Sequence, residues 1–257
     1  MDSSGRESAD RWFRAVRPIS NPNIRLVCFA HAGGAASFFR SWAGLVPDGV
    51  EIVAVRYPGR EDRLLDPPAE TMAELVEPLV RECSRFSDAP LVFFGHSMGA
   101  SVAHEVAVRL QAECGVTLSA LAVSGRAAPG RESARGLAEA GDLQLVEEVG
   151  LLGGTATGIF DDAGLRELIL PAIRADYRLI ERYRAPEVEN AMVNAPIYAY
   201  YGSQDAELSE DSMESWSAVT RAGFAARAFD GGHFYLVEHA EAVLRDLFSR
   251  IDSAVKV

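Results

Sequence analysis

The fold of this chain is decided by one stretch of its sequence, Leu91-Val92-Phe93-Phe94-Gly95-His96-Ser97-Met98-Gly99-Ala100. Its first four residues predict a strand buried on both faces, and the pattern from Ala100 to Leu110 predicts a helix. The turn between them matches G-x-S-x-G, in which the serine adopts strained backbone angles and the flanking glycines allow close backbone contacts. A serine in an ordinary glycine-rich turn would look similar, but the strand–turn–helix context favours Ser97 as a nucleophile.

Short apolar runs alternate with amphipathic stretches on both sides of this turn. Strands are predicted at Ile24–Ala30, Glu51–Val55, Leu91–Phe94, Leu118–Ser124, Pro196–Tyr201 and Phe224–Phe229. Helices are predicted at Thr71–Phe86, Gly99–Gln111, Ser209–Thr220 and Leu236–Ile251. This alternation predicts an α/β fold with a mostly parallel central sheet and helices on both faces.

One segment interrupts the alternation. From about residue 126 to 194 there is no strand pattern, only helical patterns at Leu143–Leu152 and Leu165–Tyr183 separated by three glycines, Gly153, Gly154 and Gly158. Because the sheet pattern resumes directly at Pro196, we expect one domain over residues 1–257 with this segment as a helical lid above the strand ends. A separate small helical domain is the alternative.

A serine hydroxyl needs a base to remove its proton and a carboxylate to orient that base. Of five histidines, His233 alone follows both a strand and a glycine pair, on a loop at the carboxyl end of the sheet. Asp205 follows the strand Pro196–Tyr201 after a short turn, whereas Asp230 is too near His233 in the chain to reach its ring easily. We therefore predict Ser97, Asp205 and His233 as the catalytic residues.

The tetrahedral intermediate of acyl transfer also needs hydrogen-bond donors for its oxyanion. The backbone N–H of Met98, directly after the nucleophile, is one predicted donor. The other is the N–H of Ala32, in the loop His31-Ala32-Gly33-Gly34 that follows an early strand. A phosphate-binding loop is the alternative here, but the segment lacks the Lys and Ser/Thr of a P-loop.

Composition narrows the possible partners. The net charge of −12 argues against nucleic acid or an anionic membrane, since both favour clustered positive charge. Three widely spaced cysteines and no CxxC pair indicate neither a disulfide framework nor a zinc site. With a polar start and no run of 18 apolar residues, we expect a cytoplasmic protein with no membrane contact.

Taken together, these motifs resemble a known family, the free-standing type II thioesterases of polyketide and nonribosomal peptide assembly lines. The resemblance covers nearly the whole chain. Its carriers are His31-Ala32-Gly33-Gly34, Tyr57-Pro58-Gly59-Arg60 with Arg63, Gly95-His96-Ser97-Met98-Gly99 and Gly231-Gly232-His233-Phe234. The segments Ser124 to Pro129 and Asp176 to Tyr183 also look like the family's lid borders. One departure is Ala206 after Asp205, where relatives often carry an acidic residue or proline.

The resemblance implies an α/β-hydrolase fold and hydrolysis of acyl groups from the phosphopantetheine thiol of an acyl or peptidyl carrier protein, with no cofactor or metal. We expect a monomer with an apolar acyl chamber under the lid. Candidates for lining this chamber are Phe38, Phe39, Leu151 and Leu152, and the alternative for each is ordinary core packing. Arg56, Arg60 and Arg63 are either a docking patch for an acidic carrier or a solvated surface. A carboxylesterase or lipase, a catalytically inactive binding module and an acyltransferase are the alternatives.

Overall fold

A seven-stranded sheet lies at the centre of the fold, which we describe from a computed structural model for residues 11–86, 88–131, 136–152 and 160–255. The strand order is β1-β3-β2-β4-β5-β6-β7. The strands are β1 (Phe13–Arg17), β2 (Ile24–Phe29), β3 (Val50–Val55), β4 (Leu91–His96), β5 (Ala120–Ser124), β6 (Ile197–Gly202) and β7 (Phe224–Phe229). Only the β1–β3 pair is antiparallel among these described strands, so the predicted mostly parallel sheet is confirmed.

Helices connect most of the strands. They are α1 (Met72–Cys83), α2 (Met98–Cys114), α3 (Asp142–Leu152), α4 (Ala163–Arg182), α5 (Glu210–Glu214), α6 (Tyr235–Glu238) and α7 (Ala240–Val255). Short 3-10 helices occur at Ala36–Gly44, Glu61–Arg63, Val188–Asn190 and Ser215–Val219. In the described parts of the chain, no helix combines the length and apolar character needed to cross a bilayer.

The order of the strands creates a crevice at the middle of the sheet. From β2 the chain moves outward to β3, whereas from β4 it moves in the opposite direction through β5, β6 and β7. Right-handed crossovers therefore place the β2–β3 connection and helix α2 on opposite faces. Ligands bind at such a switch point, beside the carboxyl ends of the strands. The loops after β2 and β4, which carry Ala32 and Ser97, meet there.

Helices α3 and α4 occupy the long connection between β5 and β6. Apolar residues of these helices and of the chain before each of them form a small cluster apart from the main core: Leu137, Ala138, Leu145, Val149, Phe160, Leu170, Ile173 and Tyr177. Ala32, in the loop after β2, packs against this cluster. The two predicted helices are thus present and lie against the strand ends, while the glycines at 153, 154 and 158 fall outside the described residues. The role of helices α3 and α4 as a lid stays a prediction.

Candidate active site

Ser97 lies at the sharp turn between β4 and α2. Its backbone has φ +54° and ψ −121°, a conformation that costs a non-glycine residue energy. The turn is held because the Ser97 N–H donates to the Ser124 carbonyl at 2.7 Å. A Cβ at Gly95 would lie 2.2 Å from the Gly99 carbonyl oxygen, and a Cβ at Gly99 would lie 2.1 Å from that of Phe29. Both glycines of the motif are therefore required by close backbone contacts.

His233 and Asp205 form a buried hydrogen-bonded pair. The distance between His233 Nδ1 and Asp205 Oδ2 is 2.7 Å, and the two side chains are 3% and 1% exposed. Because an ionised carboxylate only accepts, His233 Nδ1 carries the proton and Nε2 is left as the basic nitrogen. The other carboxylate oxygen, Oδ1 of Asp205, accepts the Glu207 N–H at 3.0 Å, which fixes the carboxylate orientation.

The loops that carry this pair are bound to each other through their backbones. Ser203 N–H donates to the Phe229 carbonyl at 2.8 Å, and Gln204 N–H donates to the Gly231 carbonyl at 2.9 Å. Gly202, at the end of β6, is so close to the next loop that its Cβ would lie 2.1 Å from the Gly232 carbonyl oxygen. The loop after β6 and the loop after β7 therefore present Asp205 and His233 as one rigid unit.

Gly125 links this pair to the serine. It lines the same cavity as Ser97, Met98 and Ala32. A Cβ built on Gly125 would lie 3.3 Å from Cε1 of His233. The Gly125 backbone therefore lies close to the imidazole of His233. The structure thus brings the predicted acid and base together and places the serine and both predicted oxyanion donors beside them. Contact between Ser97 Oγ and His233 Nε2 stays a prediction.

His96 packs beside the imidazole of His233, and His31 packs beside His96. The ring centroid of His96 lies 5.0 Å from that of His233, and the His31 ring lies 5.9 Å from that of His96. Burial lowers the pKa of His31 to about 3 and that of His96 well below its ordinary value. Both neighbours are therefore neutral near pH 7, and they do not oppose a positive charge that forms on His233 during proton transfer.

The predicted oxyanion donors belong to the loop after β2 and to the first turn of α2. Met98 is the first residue of α2, where backbone N–H groups have no acceptor within the helix. In the other loop, Gly33 N–H donates to Asp176 Oδ2 at 2.7 Å and Gly34 N–H donates to the His31 carbonyl at 2.9 Å. Since these two amides are engaged in the fold, the geometry favours Ala32 as the second donor.

A cavity of about 710 Å³ opens beside Ser97. Residues of α4 and the chain after it line one side, among them Tyr177, Ile180 and Tyr183. Charged residues line it too, namely Arg126, Arg131, Glu181, Arg184 and Glu207. The cavity is therefore lined by both apolar and charged side chains, whereas an apolar chamber was expected.

Three of the four candidates for the acyl chamber, Phe38, Phe39 and Leu151, are not among the described residues that line this cavity. Phe39 is fully buried and packs against Trp42 and Phe94, so it belongs to the core. Phe38 packs against His31 and Phe234, and Leu151 is 75% exposed. The side chain of Leu152 lies outside the described residues. The described part of the chain also contains no group of three His, Cys, Asp or Glu residues arranged to hold a metal ion.

Comparison with known proteins agrees with this geometry. The family model for the thioesterase domain matches residues 24–251. This chain belongs to the thioesterase family. The solved structure of the type II thioesterase BorB from the borrelidin biosynthetic cluster aligns with a TM-score of 0.84 and 37% identity, over 94% of this chain and 98% of that one. The predicted α/β-hydrolase fold and the predicted resemblance to type II thioesterases are confirmed.

Two curated relatives of this thioesterase come from Streptomyces. The probable cadicidin biosynthesis thioesterase of Streptomyces griseus is 36% identical over 237 residues, which cover 92% of this chain and 65% of that protein. Thioesterase PikA5 of Streptomyces venezuelae is 37% identical over 237 residues, which cover 92% of this chain and 84% of PikA5. This thioesterase therefore spans just under two thirds of the length of the first relative and most of the second.

Sequence reasoning missed the pairing of two residues beside the site of this thioesterase, Arg60 and Asp176. The reading of Arg60 and Arg63 as a solvated surface is wrong. The Arg60 side chain is 10% exposed and pairs with Asp176, and the Arg63 side chain is 7% exposed and pairs with Asp66. Arg60 is identified by the Tyr57-Pro58-Gly59-Arg60 motif and Asp176 by the lid border, but no local pattern shows that two residues 116 positions apart are partners.

Proposed function

We propose that this protein is a cytoplasmic, monomeric thioesterase that hydrolyses acyl groups from the phosphopantetheine arm of acyl or peptidyl carrier proteins. Its role would be to remove stalled or wrong acyl groups from a polyketide or nonribosomal peptide synthase. The observation that carries this proposal is the buried Asp205–His233 pair beside the cavity that contains Ser97. The kinship with BorB, described as a type II thioesterase, supports the substrate class.

In the proposed mechanism these groups act in turn. Ser97 Oγ attacks the thioester carbon while His233 Nε2 takes its proton, and Asp205 stabilises the imidazolium that forms. The N–H groups of Ala32 and Met98 bind the oxyanion, each contributing about 3 kcal/mol to the transition state. The thiolate leaves with the proton from His233, water enters, and His233 activates it to release the acid and free Ser97. These steps use side chains and backbone amides of this chain alone.

The cavity lining favours a carrier-bound thioester over a lipid ester. Three arginines, Arg126, Arg131 and Arg184, line the cavity that reaches Ser97, against two glutamates, Glu181 and Glu207, in a chain whose net charge is −12. A phosphopantetheine arm carries a phosphodiester, which arginine binds well, whereas a triglyceride has no anionic group for these side chains. The basic side chains also give an acidic carrier protein a local attraction that the overall charge does not supply.

The test compares two substrates with the same acyl chain, one a thioester on a carrier protein and the other a simple oxygen ester. We expect kcat/KM to be higher for the carrier-bound thioester, and Ser97→Ala to lower it by about 10³-fold or more. Ser203→Ala, an exposed serine in the loop before Asp205, is the matched control and should keep full activity. A preference for the oxygen ester would instead identify a carboxylesterase.

An inactive binding module is distinguished by a second measurement. A fluorophosphonate reacts with an activated serine, so the wild-type protein should be labelled and Ser97→Ala should not. Absence of labelling on a folded wild-type protein, together with absence of hydrolysis, would exclude the proposed catalytic mechanism.

A further inference from the structure

Arg60 and Asp176 form a buried ion pair next to the active site. Arg60 Nη1 lies 2.6 Å from Asp176 Oδ2, and Nη2 lies 2.8 Å from Oδ1, so the contact is bidentate. The two side chains are 10% and 3% exposed. Burial alone would lower the pKa of Arg60, but its surroundings, Asp176 first among them, more than offset this and the pKa is raised. Arg60 is therefore charged, and the bidentate contact gives its buried guanidinium a partner.

The pair also holds the loop that follows β2. Asp176 Oδ2 accepts the Gly33 N–H at 2.7 Å, and Arg60 Nη1 donates to the Gly34 carbonyl at 3.0 Å. These bonds hold the Ala32–Gly33 peptide group, directly after Ala32, and the Gly34–Ala35 peptide group. Because the Ala32 N–H belongs to the neighbouring peptide group, its direction depends on how these groups are held.

Asp176 lies in the middle of α4, so the pair connects this helix to the loop. The same helix places Ile173 against Gly33, where a built Cβ would lie only 2.8 Å from Ile173 Cγ1. Gly33 has φ +75°, a left-handed conformation that favours glycine. The loop conformation and the position of α4 are therefore coupled by one apolar contact and one set of charged hydrogen bonds.

A buried ion pair contributes little net stability, because the desolvation of two charges offsets most of their attraction. Two apolar side chains of similar size would fill the same space, so stability alone does not account for charges at this position. What the charges add is directional hydrogen bonding to Gly33 and Gly34, and a strict geometry for α4 above the loop.

We propose that Arg60 and Asp176 are positioning residues that aim the Ala32 N–H at the oxyanion, and that seating α4 on the loop completes the oxyanion hole. This inference rests on the proposed acyl-transfer function. It deepens that function by making the oxyanion hole depend on the position of α4: when α4 lifts away, Gly33 loses its acceptor and the loop is free to turn.

The test removes the charges while keeping the volume, in the double variant Arg60→Met with Asp176→Leu. We expect this protein to fold, with kcat reduced about 10- to 100-fold and KM changed by less than about threefold, since the oxyanion forms only in the transition state. A trifluoromethyl ketone with the same acyl chain forms an adduct whose oxygen occupies the hole. Its Ki should therefore rise by the same factor as kcat/KM falls.

The matched control is another ion pair far from the site. Arg25 bonds Glu51 where β2 and β3 begin, at the opposite edge of the sheet, and Arg25→Met with Glu51→Leu should leave kcat and Ki unchanged. A folded Arg60/Asp176 double variant with kcat within about twofold of wild type would overturn the inference. So would a fall in kcat/KM with no rise in Ki, because a general structural loss would not weaken the oxyanion mimic in proportion.

If the double variant does not fold, the single variant Asp176→Asn tests the same inference. Its amide oxygen accepts the Gly33 N–H more weakly than a carboxylate does and leaves Arg60 without its counter-ion. We expect a parallel change of kcat/KM and Ki of about tenfold, and unchanged values would overturn the inference. A p-nitrophenyl ester is measured alongside the thioester, since its hydrolysis also passes through an oxyanion. Failure of the thioester alone would count against the proposed function and not against the positioning role.

Discussion

Asp205 and Asp230 are two aspartates close to His233, and their surroundings differ. Asp205 is buried and its Oδ2 lies 2.7 Å from His233 Nδ1. Asp230 is exposed and accepts a hydrogen bond from Gln204 Nε2 at 2.8 Å. A carboxylate stabilises an imidazolium well only where water is excluded, because Coulomb interactions strengthen in a low dielectric. The geometry therefore favours Asp205 as the residue that orients the base.

These two aspartates form a matched pair for mutation. Asp205→Asn keeps the shape of the side chain but removes the negative charge that favours the protonated imidazole, so we expect kcat to fall on the order of 10³- to 10⁴-fold. Asp230→Asn should change kcat by less than about twofold, since an exposed charge is screened. Steady-state hydrolysis of an acyl thioester measures both. Equal losses in the two variants would contradict the assignment of Asp205.

At the scale of single residues, the sequence predicts those functional residues whose roles can be inferred from the residues next to them in the chain. The Gly95–Gly99 turn and the Gly231-Gly232-His233 loop are recognisable because each is marked by its own residue types and by the strand that directly precedes it. Arg60 is different: its role depends on Asp176, which the fold brings to it from a distant helix. Long-range pairing of two polar residues leaves no periodic signal in the chain.

At the scale of elements, all six predicted strands are present, with ends within two residues of the prediction. β1 is missed because it is a short edge strand with one buried residue, Phe13, and arginines at positions 14 and 17. The predicted helix at Ser209–Thr220 is a short α5 followed by a 3-10 helix, and the one at Leu236–Ile251 is interrupted at His239. The spacing of apolar residues does not show such breaks, because a 3-10 helix, although wound more tightly than an α-helix, still buries the same side of the segment.

The junction of β4, α2 and β2 gives a prediction for Gly99→Ala. Its Cβ would lie 2.1 Å from the Phe29 carbonyl oxygen, so α2 must move away from β2 and the turn around Ser97 must distort. We expect the free energy of unfolding to fall by about 3 kcal/mol or more, with loss of hydrolysis. Gly44→Ala, where a Cβ meets nothing within 4 Å, is the control. Urea unfolding measures both, and a Gly99→Ala protein as stable as the control would contradict the described packing.

At the scale of the whole molecule, three of the buried histidines have lowered pKa values: His31, His96 and His104. Burial lowers the pKa of His31 to about 3 and that of His104 to about 4, against an ordinary value of 6.5. Each folded-state pKa lies below the unfolded one, so the unfolded chain binds more protons between the two values. The stability that these residues contribute is complete above pH 6.5 and is lost as the pH falls toward 4.

His104 offers a test that leaves the active site intact, since its Nε2–H donates to the Ala191 carbonyl at 2.8 Å and its ring contacts Trp216. His104→Gln keeps a donor but cannot titrate. Between about pH 6.5 and pH 5, the free energy of unfolding should fall less steeply than in wild type, by about 1 kcal/mol per pH unit. Urea unfolding at pH 8 gives the packing cost of the substitution separately. Parallel pH profiles would show that His104 is not a neutral buried group.

The whole fold was predictable as a class, because strand and helix periodicity with one elbow motif are sufficient to predict a mostly parallel sheet. The cavity was not. Its lining combines α4, the loop after β5 and the loop after β6, and its charged residues come from segments without a pattern of their own. The contact between the helices that connect β5 to β6 and the loop that carries Ala32 is likewise a property of packing between distant segments.

The central claim is that Ser97 accepts the acyl group directly from a carrier-bound thioester. The most direct measurement is a single turnover with excess enzyme and an isotopically labelled acyl group on a carrier protein, stopped by acid within milliseconds and examined by peptide mass spectrometry. We expect the acyl mass on the peptide that contains Ser97 at early times, followed by its decay as free acid appears. Free acid formed with the label never on Ser97, or on another residue instead, would contradict the account.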